Sequence, residues 1–219
     1  MPEATGLLPT VVLVHGGYWR PTYDRHLEDP VAADLVGRGY LCWNIDYSAA
    51  DAPWPATFDD VALAYDWLTR GAYADRVDPD RISVVGHSAG GHLALWLGGR
   101  AGLPRPAVAV GQAPVAALAD GHAERLGAGA VGALIGGSPA EFPGRYRLAD
   151  PVALLPTGVR TVLVHGTGDD TVPIRQSETY VAAATAAGDR SELVRVPGGH
   201  FEHLDPTSEA CARMRAALA

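Results

Sequence analysis

The sequence predicts an α/β domain, a doubly wound and mostly parallel sheet of about six strands with helices on both faces. Three observations carry this. Six short runs of β-branched and apolar residues recur along the chain. They are nearly continuous rather than alternating, as strands buried on both faces must be. Segments of helical spacing fall between them, the order expected of βαβ units. Gly and Pro punctuate the junctions, as in residues 52–55 and 136–143.

The strands are expected at 10–15, 40–46, 81–86, 107–110, 160–165 and 192–196. In 59–69, Val61, Leu63, Ala64, Tyr65 and Leu68 follow three-four spacing and predict a helix. Residues 91–97 are apolar almost all round, so a deeply buried helix is expected there. The Ala-rich stretches 176–187 and 208–218 predict two more. Residues 112–156 are the least regular part, with Gly127, Gly129, Gly132, Gly136 and Gly137 among short Ala/Leu runs. So long an irregular segment is uncommon in a compact domain unless it is functional or partly helical. It is read as short helices forming a cap over the sheet edge, inside a single domain spanning 1–219.

Composition narrows the function classes. Apolar residues make up 47% and charged residues 19%, a balance that supports a packed core rather than disorder. The 17 basic and 25 acidic side chains give a net charge of −8, with no basic patch. A nucleic acid or an anionic membrane is therefore not an expected partner. Cys42 and Cys211 lie far apart without ligand spacing, so neither a disulfide framework nor a metal site is expected. The first residues carry no basic segment followed by an apolar one, and no run of 18 apolar residues occurs. The expected location is cytoplasmic.

Chemistry concentrates at four strand ends. Gly86-His87-Ser88-Ala89-Gly90 matches G-x-S-x-G, after an apolar run and before a helix. A sharp strand-to-helix turn exposes such a serine, and the small residues around it avoid a clash. Ser88 is the expected nucleophile; the competing reading is a glycine-rich turn whose serine only caps the helix. A serine hydroxyl needs a base, and in this arrangement an acid and then a histidine follow in chain order. Asp169 stands just past the fifth strand and is the expected acid, with Asp170 in reserve. His200 follows the Gly198-Gly199 turn after the sixth strand and is preferred as base over His203. His87 reads as structural. Acyl transfer also needs donors for the developing oxyanion. Ala89 N–H supplies one, and the loop His15-Gly16-Gly17-Tyr18-Trp19 the other, through Gly17 N–H or Tyr18 N–H. Tyr18, Trp19 and Trp54 either line a pocket for an aromatic substrate or pack the core and rim.

With these residues in place, the sequence resembles kynurenine formamidases (arylformamidases) and their relatives among the α/β-hydrolases. His15–Trp19 looks like their HGGxW signature, and GHSAGG at Gly86–Gly91 fits the same group. The resemblance runs from Val11 to about Pro206. It implies a reduced sheet with strand order 4-3-5-6-7-8 in the family's labels, because the strands that usually precede the oxyanion loop are missing. It also implies Ser88, Asp169 and His200 as the triad and no cofactor or metal. The implied substrate is a small ester or aryl formamide, cleaved through an acyl-enzyme. A carboxylesterase, an acylaminoacyl-type peptidase and a non-catalytic ligand-binding protein of the same fold are the alternatives.

Overall fold

The computed structural model describes residues 6–218. The reading of a missing leader segment falls on residues 1–5, outside the described residues. In chain order the main elements are β1 (Leu8–Val14), α1 (Asp29–Gly37), β2 (Leu41–Ile45), α2 (Ala56–Arg70), β3 (Val77–His87) and α3 (Ala89–Gly99). There follow β4 (Val108–Gln112), α4 (Leu118–Ala123), α5 (Leu126–Ile135), α6 (Pro143–Ala149), β5 (Arg160–Gly166), α7 (Arg175–Ala186), β6 (Ser191–Val196) and α8 (Glu209–Ala217). All six expected strands are present, as are the four expected helices.

The strands form one parallel sheet in the order β2-β1-β3-β4-β5-β6, the order that the resemblance implies. Alternate residues of β1 face opposite layers. Val12 and Val14 join a core with Phe58 and Val61 of α2 and Leu93 and Trp96 of α3. Val11 and Leu13 join a second core with Val31 and Leu35 of α1 and Met214 of α8. Burial on both faces explains why the strands read as continuous apolar runs. α3 lies against the sheet centre and is buried from Ala89 through Gly98, as its all-round apolar pattern requires.

Two elements depart from the expectation. β3 starts at Val77, because Val77 pairs with Leu8 before a register shift brings Ile82 opposite Thr10. The intervening Asp78, Pro79 and Asp80 form no apolar run, so no pattern marks them as strand. α1 was not anticipated, although it has a Pro in its first turn and buries Val31 and Leu35, four residues apart. Residues 112–156 hold α4, α5 and α6, as the expected short helices. Their apolar residues Leu118, Val131, Ile135 and Tyr146 merge with the core that α2 and α3 form. Among the described residues no helix is long and apolar enough to cross a membrane.

Candidate active site

In a parallel sheet the C-terminal strand ends share one edge, and ligands bind there. β1, β3 and β5 deliver the His15 loop, Ser88 and the Asp169 turn to that edge, and the turn after β6 brings His200. Ser88 occupies the tight turn between β3 and α3 with φ 57° and ψ −117°, a backbone conformation that side-chain-bearing residues rarely adopt. Hydrogen bonds hold it there. Its N–H donates to Gln112 O at 2.8 Å, and its carbonyl accepts from His92 N–H at 3.1 Å and Val115 N–H at 3.3 Å. The two outer glycines of the motif are compelled by contact. A Cβ on Gly86 would lie 2.1 Å from Gly90 O, and one on Gly90 would lie 1.9 Å from Val14 O. The elbow thus rests backbone to backbone on the end of β1.

Asp169 and His200 meet directly. His200 Nδ1–H donates to Asp169 Oδ2 at 2.7 Å, which leaves Nε2 as the ring's lone-pair nitrogen. Asp169 Oδ1 accepts from Thr171 N–H at 2.9 Å and Val172 N–H at 2.8 Å. Its side chain is fully buried. Burial alone would raise its pKa. Interactions with His165 and His200 and the Val172 N–H outweigh this and hold the carboxyl well below the ordinary carboxylate range. His165 stands 3.4 Å from Oδ2. It gives its Nε2 hydrogen to Val172 O at 2.9 Å and accepts from Ser177 Oγ at 2.7 Å, so it braces the turn that presents Asp169. Asp170 accepts from the neighbouring Thr171 hydroxyl at 3.2 Å, while His200 bonds Asp169.

His87, in the variable position of the motif, packs against His200. It donates from Nε2 to His200 O at 2.8 Å, and the two rings lie 4.6 Å apart. Burial, then the proximity of His200 and His203, holds its pKa well below the ordinary value, so the ring is neutral. His203 is fully buried and held neutral at about 4, by burial first and by neighbouring histidines second.

The loop His15–Trp19 has three successive residues with positive φ, Gly17 at 108°, Tyr18 at 51° and Trp19 at 55°. Such turns aim consecutive backbone N–H groups into one concavity. Gly17 and Tyr18 line the same cleft as Ser88 and His200. Ala89 is the first residue of α3, whose N–H has no partner within the helix. The loop's base is tied down by His15, whose ring stacks on Tyr47 at 4.3 Å, while Tyr47 Oη donates to His15 O at 2.8 Å.

The expected aromatic contacts divide. Tyr18 reaches the cleft, and its hydroxyl donates to Thr171 O at 2.7 Å, joining the His15–Trp19 loop to the Asp169 turn. Trp19 does not reach it. The positive φ values turn its side chain into the core, where it is fully buried and packs edge-on against His92 at 5.2 Å. Trp54 lies in a separate hollow with Phe58, Trp96 and Leu148. Neither lines this cleft; residues that the motifs did not mark do. The cleft, of about 270 Å³, is also lined by Tyr23, Leu27, Phe201 and Leu204, together with Arg20. Tyr23 and Leu27 come from the stretch before α1, and only proximity in the fold identifies them. No residue of 112–156 lines the cleft; this segment reaches it through Gly127, on which the Tyr18 ring packs.

Comparison with known proteins adds three findings. A family model described as BD-FAE matches residues 1–105. Among curated proteins, the esterase LipQ of Mycobacterium tuberculosis is 28% identical over 208 residues, covering 88% of this chain and 49% of its own. The carboxylesterase NlhH of the same species is 42% identical over 96 residues, covering 42% of this chain and 30% of its own. The chain thus spans about half or less of these relatives' length. Among solved structures, an acetyl ester-xyloside bifunctional hydrolase from Caldicellulosiruptor lactoaceticus superposes with a TM-score of 0.79 at 25% identity, covering 96% of this chain and 80% of that one. A truncated carbohydrate esterase from gut microbiota gives 0.80 at 22% identity, covering 91% and 81%.

Proposed function

We propose that this chain, an α/β hydrolase by fold, is a serine hydrolase that cleaves small carboxylic esters through an acyl-enzyme on Ser88. One observation carries the reading. A serine held at φ 57° on a strand-to-helix turn shares a cleft with a histidine whose far nitrogen is bonded to a buried carboxylate.

In this reading His200 Nε2 takes the Ser88 proton as Oγ attacks the ester carbonyl. Asp169 fixes the tautomer and stabilises the imidazolium. The N–H groups of Ala89 and of Gly17 or Tyr18 meet the oxyanion, each donor contributing about 3 kcal/mol to the transition state. The carbonyl re-forms, the alcohol leaves with the proton from His200, and water hydrolyses the acyl-enzyme by the same route. The esterase relatives support an ester as substrate.

Aryl formamides are the second reading, favoured by the His15–Trp19 motif and by the aromatic rings of Tyr18, Tyr23 and Phe201 at the cleft. Short-chain p-nitrophenyl esters and N-formylkynurenine, assayed side by side, decide between the two. A fluorophosphonate should label Ser88 of the native protein, and Ser88→Ala should lose both label and turnover. Full activity in Ser88→Ala would overturn the serine mechanism.

A further inference from the structure

One side chain of the cleft has no part in the chemistry described above. Arg20 is the only permanently charged residue among those that line it. Most other lining side chains are apolar or aromatic, and no carboxylate of the described residues lies within ion-pair distance of Arg20. The contrast with Arg25, five residues on, is direct, since that guanidinium is paired with Asp46 at 2.9 Å. Arg20 is nonetheless held in place. One N–H donates to Gly127 O at 2.6 Å, and the guanidinium lies 5.7 Å from the centre of the Tyr18 ring. Tyr18 is itself anchored to Thr171 O at 2.7 Å. A guanidinium carries five N–H donors in a fixed plane, and a single carbonyl uses only one of them. Its remaining donors suit the two oxygens of a carboxylate.

We propose that Arg20 recognises a carboxylate on the substrate, so that the class favoured is small monoanionic esters. Their apolar body would lie along Tyr23, Leu27, Phe201 and Leu204 while the ester carbonyl reaches Ser88. This rests on the serine-hydrolase reading for the word ester, but the carboxylate site itself does not depend on it. A molecule of net charge −8 repels anions at long range, so an anionic substrate needs a local cation where it docks, and Arg20 supplies one.

Two measurements test this. The first compares kcat/KM within matched pairs, 4-acetoxybenzoate against 4-acetoxybenzamide and monomethyl succinate against methyl succinamate. These put the carboxylate on the leaving-group side and on the acyl side respectively. The second is calorimetric binding of 3-phenylpropionate against 3-phenylpropionamide to the native protein and to Ser88→Ala, which requires no turnover. The carboxylate should be preferred about fivefold in binding and in at least one ester pair, as a partly exposed ion pair allows. Arg20→Gln should bring these ratios close to one, and about 0.5 M salt should shrink them. Equal binding of acid and amide, or a preference that survives Arg20→Gln, overturns the proposal. If no ester is cleaved but the Arg20-dependent binding preference is present, the hydrolase reading fails and the carboxylate site stands.

Discussion

Glu28 is fully buried at the entry to α1, and neither of its carboxylate oxygens has a hydrogen-bond partner. Burial pushes its pKa up to about 8, from 4.5. The group is therefore protonated in the folded protein at neutral pH and ionised in the unfolded chain. A raised carboxyl pKa leaves stability intact below the unfolded value and erodes it as pH rises from 4.5 toward 8. Glu28→Gln, which cannot ionise, should stabilise the fold by about 3 kcal/mol at pH 7 and by far less near pH 4.5. Urea unfolding at the two pH values checks this; an equal effect at both would show that ionisation is not the cause. Nothing near Glu28 in the sequence signals its burial. Ser88, Asp169 and His200, by contrast, were legible, because each sits beside a strand end within a few residues of glycine, and local turn geometry alone brings it to the sheet edge. Trp19 was ambiguous for a physical reason: whether it faced cleft or core depended on three positive φ values that its residue types do not dictate.

At the scale of elements, the turn from β3 into α3 is the least tolerant feature. A Cβ on Gly90 would penetrate the Val14 carbonyl, and backbone cannot step aside as a flexible side chain can. Gly90→Ala should therefore cost about 3 kcal/mol or more. Circular dichroism melting is the check, and a melting temperature within a degree or so of the parent would show that β1 yields. Strand identities were legible because continuous apolar runs are what a two-sided sheet demands. The first residues of β3 were not, since Asp78, Pro79 and Asp80 fall within the register shift between Val77 and Ile82, where no burial of an apolar face constrains their type. The walls of the cleft were illegible for a related reason. Tyr23, Leu27 and Leu204 lie in short connections whose approach to Ser88 is set by how β1, α1 and β6 pack, and periodicity says nothing about that.

For the whole molecule, acid is the expected weakness. His92 and His203 are buried and held neutral at about 4, chiefly by burial, and His87 is shifted in the same direction. A folded pKa below the unfolded value of 6.5 means that the unfolded chain takes up protons first. Their contribution is intact above pH 6.5 and is lost as pH falls toward 4. Between about pH 7 and pH 5 His92 and His203 should each remove about 2 kcal/mol of stability, and His87 acts in the same direction. Glu28 works in the opposite direction over the same range and offsets part of this. Urea unfolding should show a net loss of a few kcal/mol, steeper in Glu28→Gln. A pH-independent midpoint in that variant would contradict the assignment of these histidines as neutral.

The seat of the elbow on β1 has a consequence for how such a molecule can change over generations. Gly90 touches the Val14 and His15 carbonyls directly, so the spacing between the serine and the His15–Trp19 loop is set by main chain alone. Mutation of side chains has little purchase on that spacing. Arg20, Tyr23, Leu27, Phe201 and Leu204, in contrast, line the cleft from connecting segments, and none of them takes part in the backbone contact beneath Ser88. Those five positions can vary the lining of the cleft over generations, while the main-chain spacing beneath Ser88 is inherited unchanged.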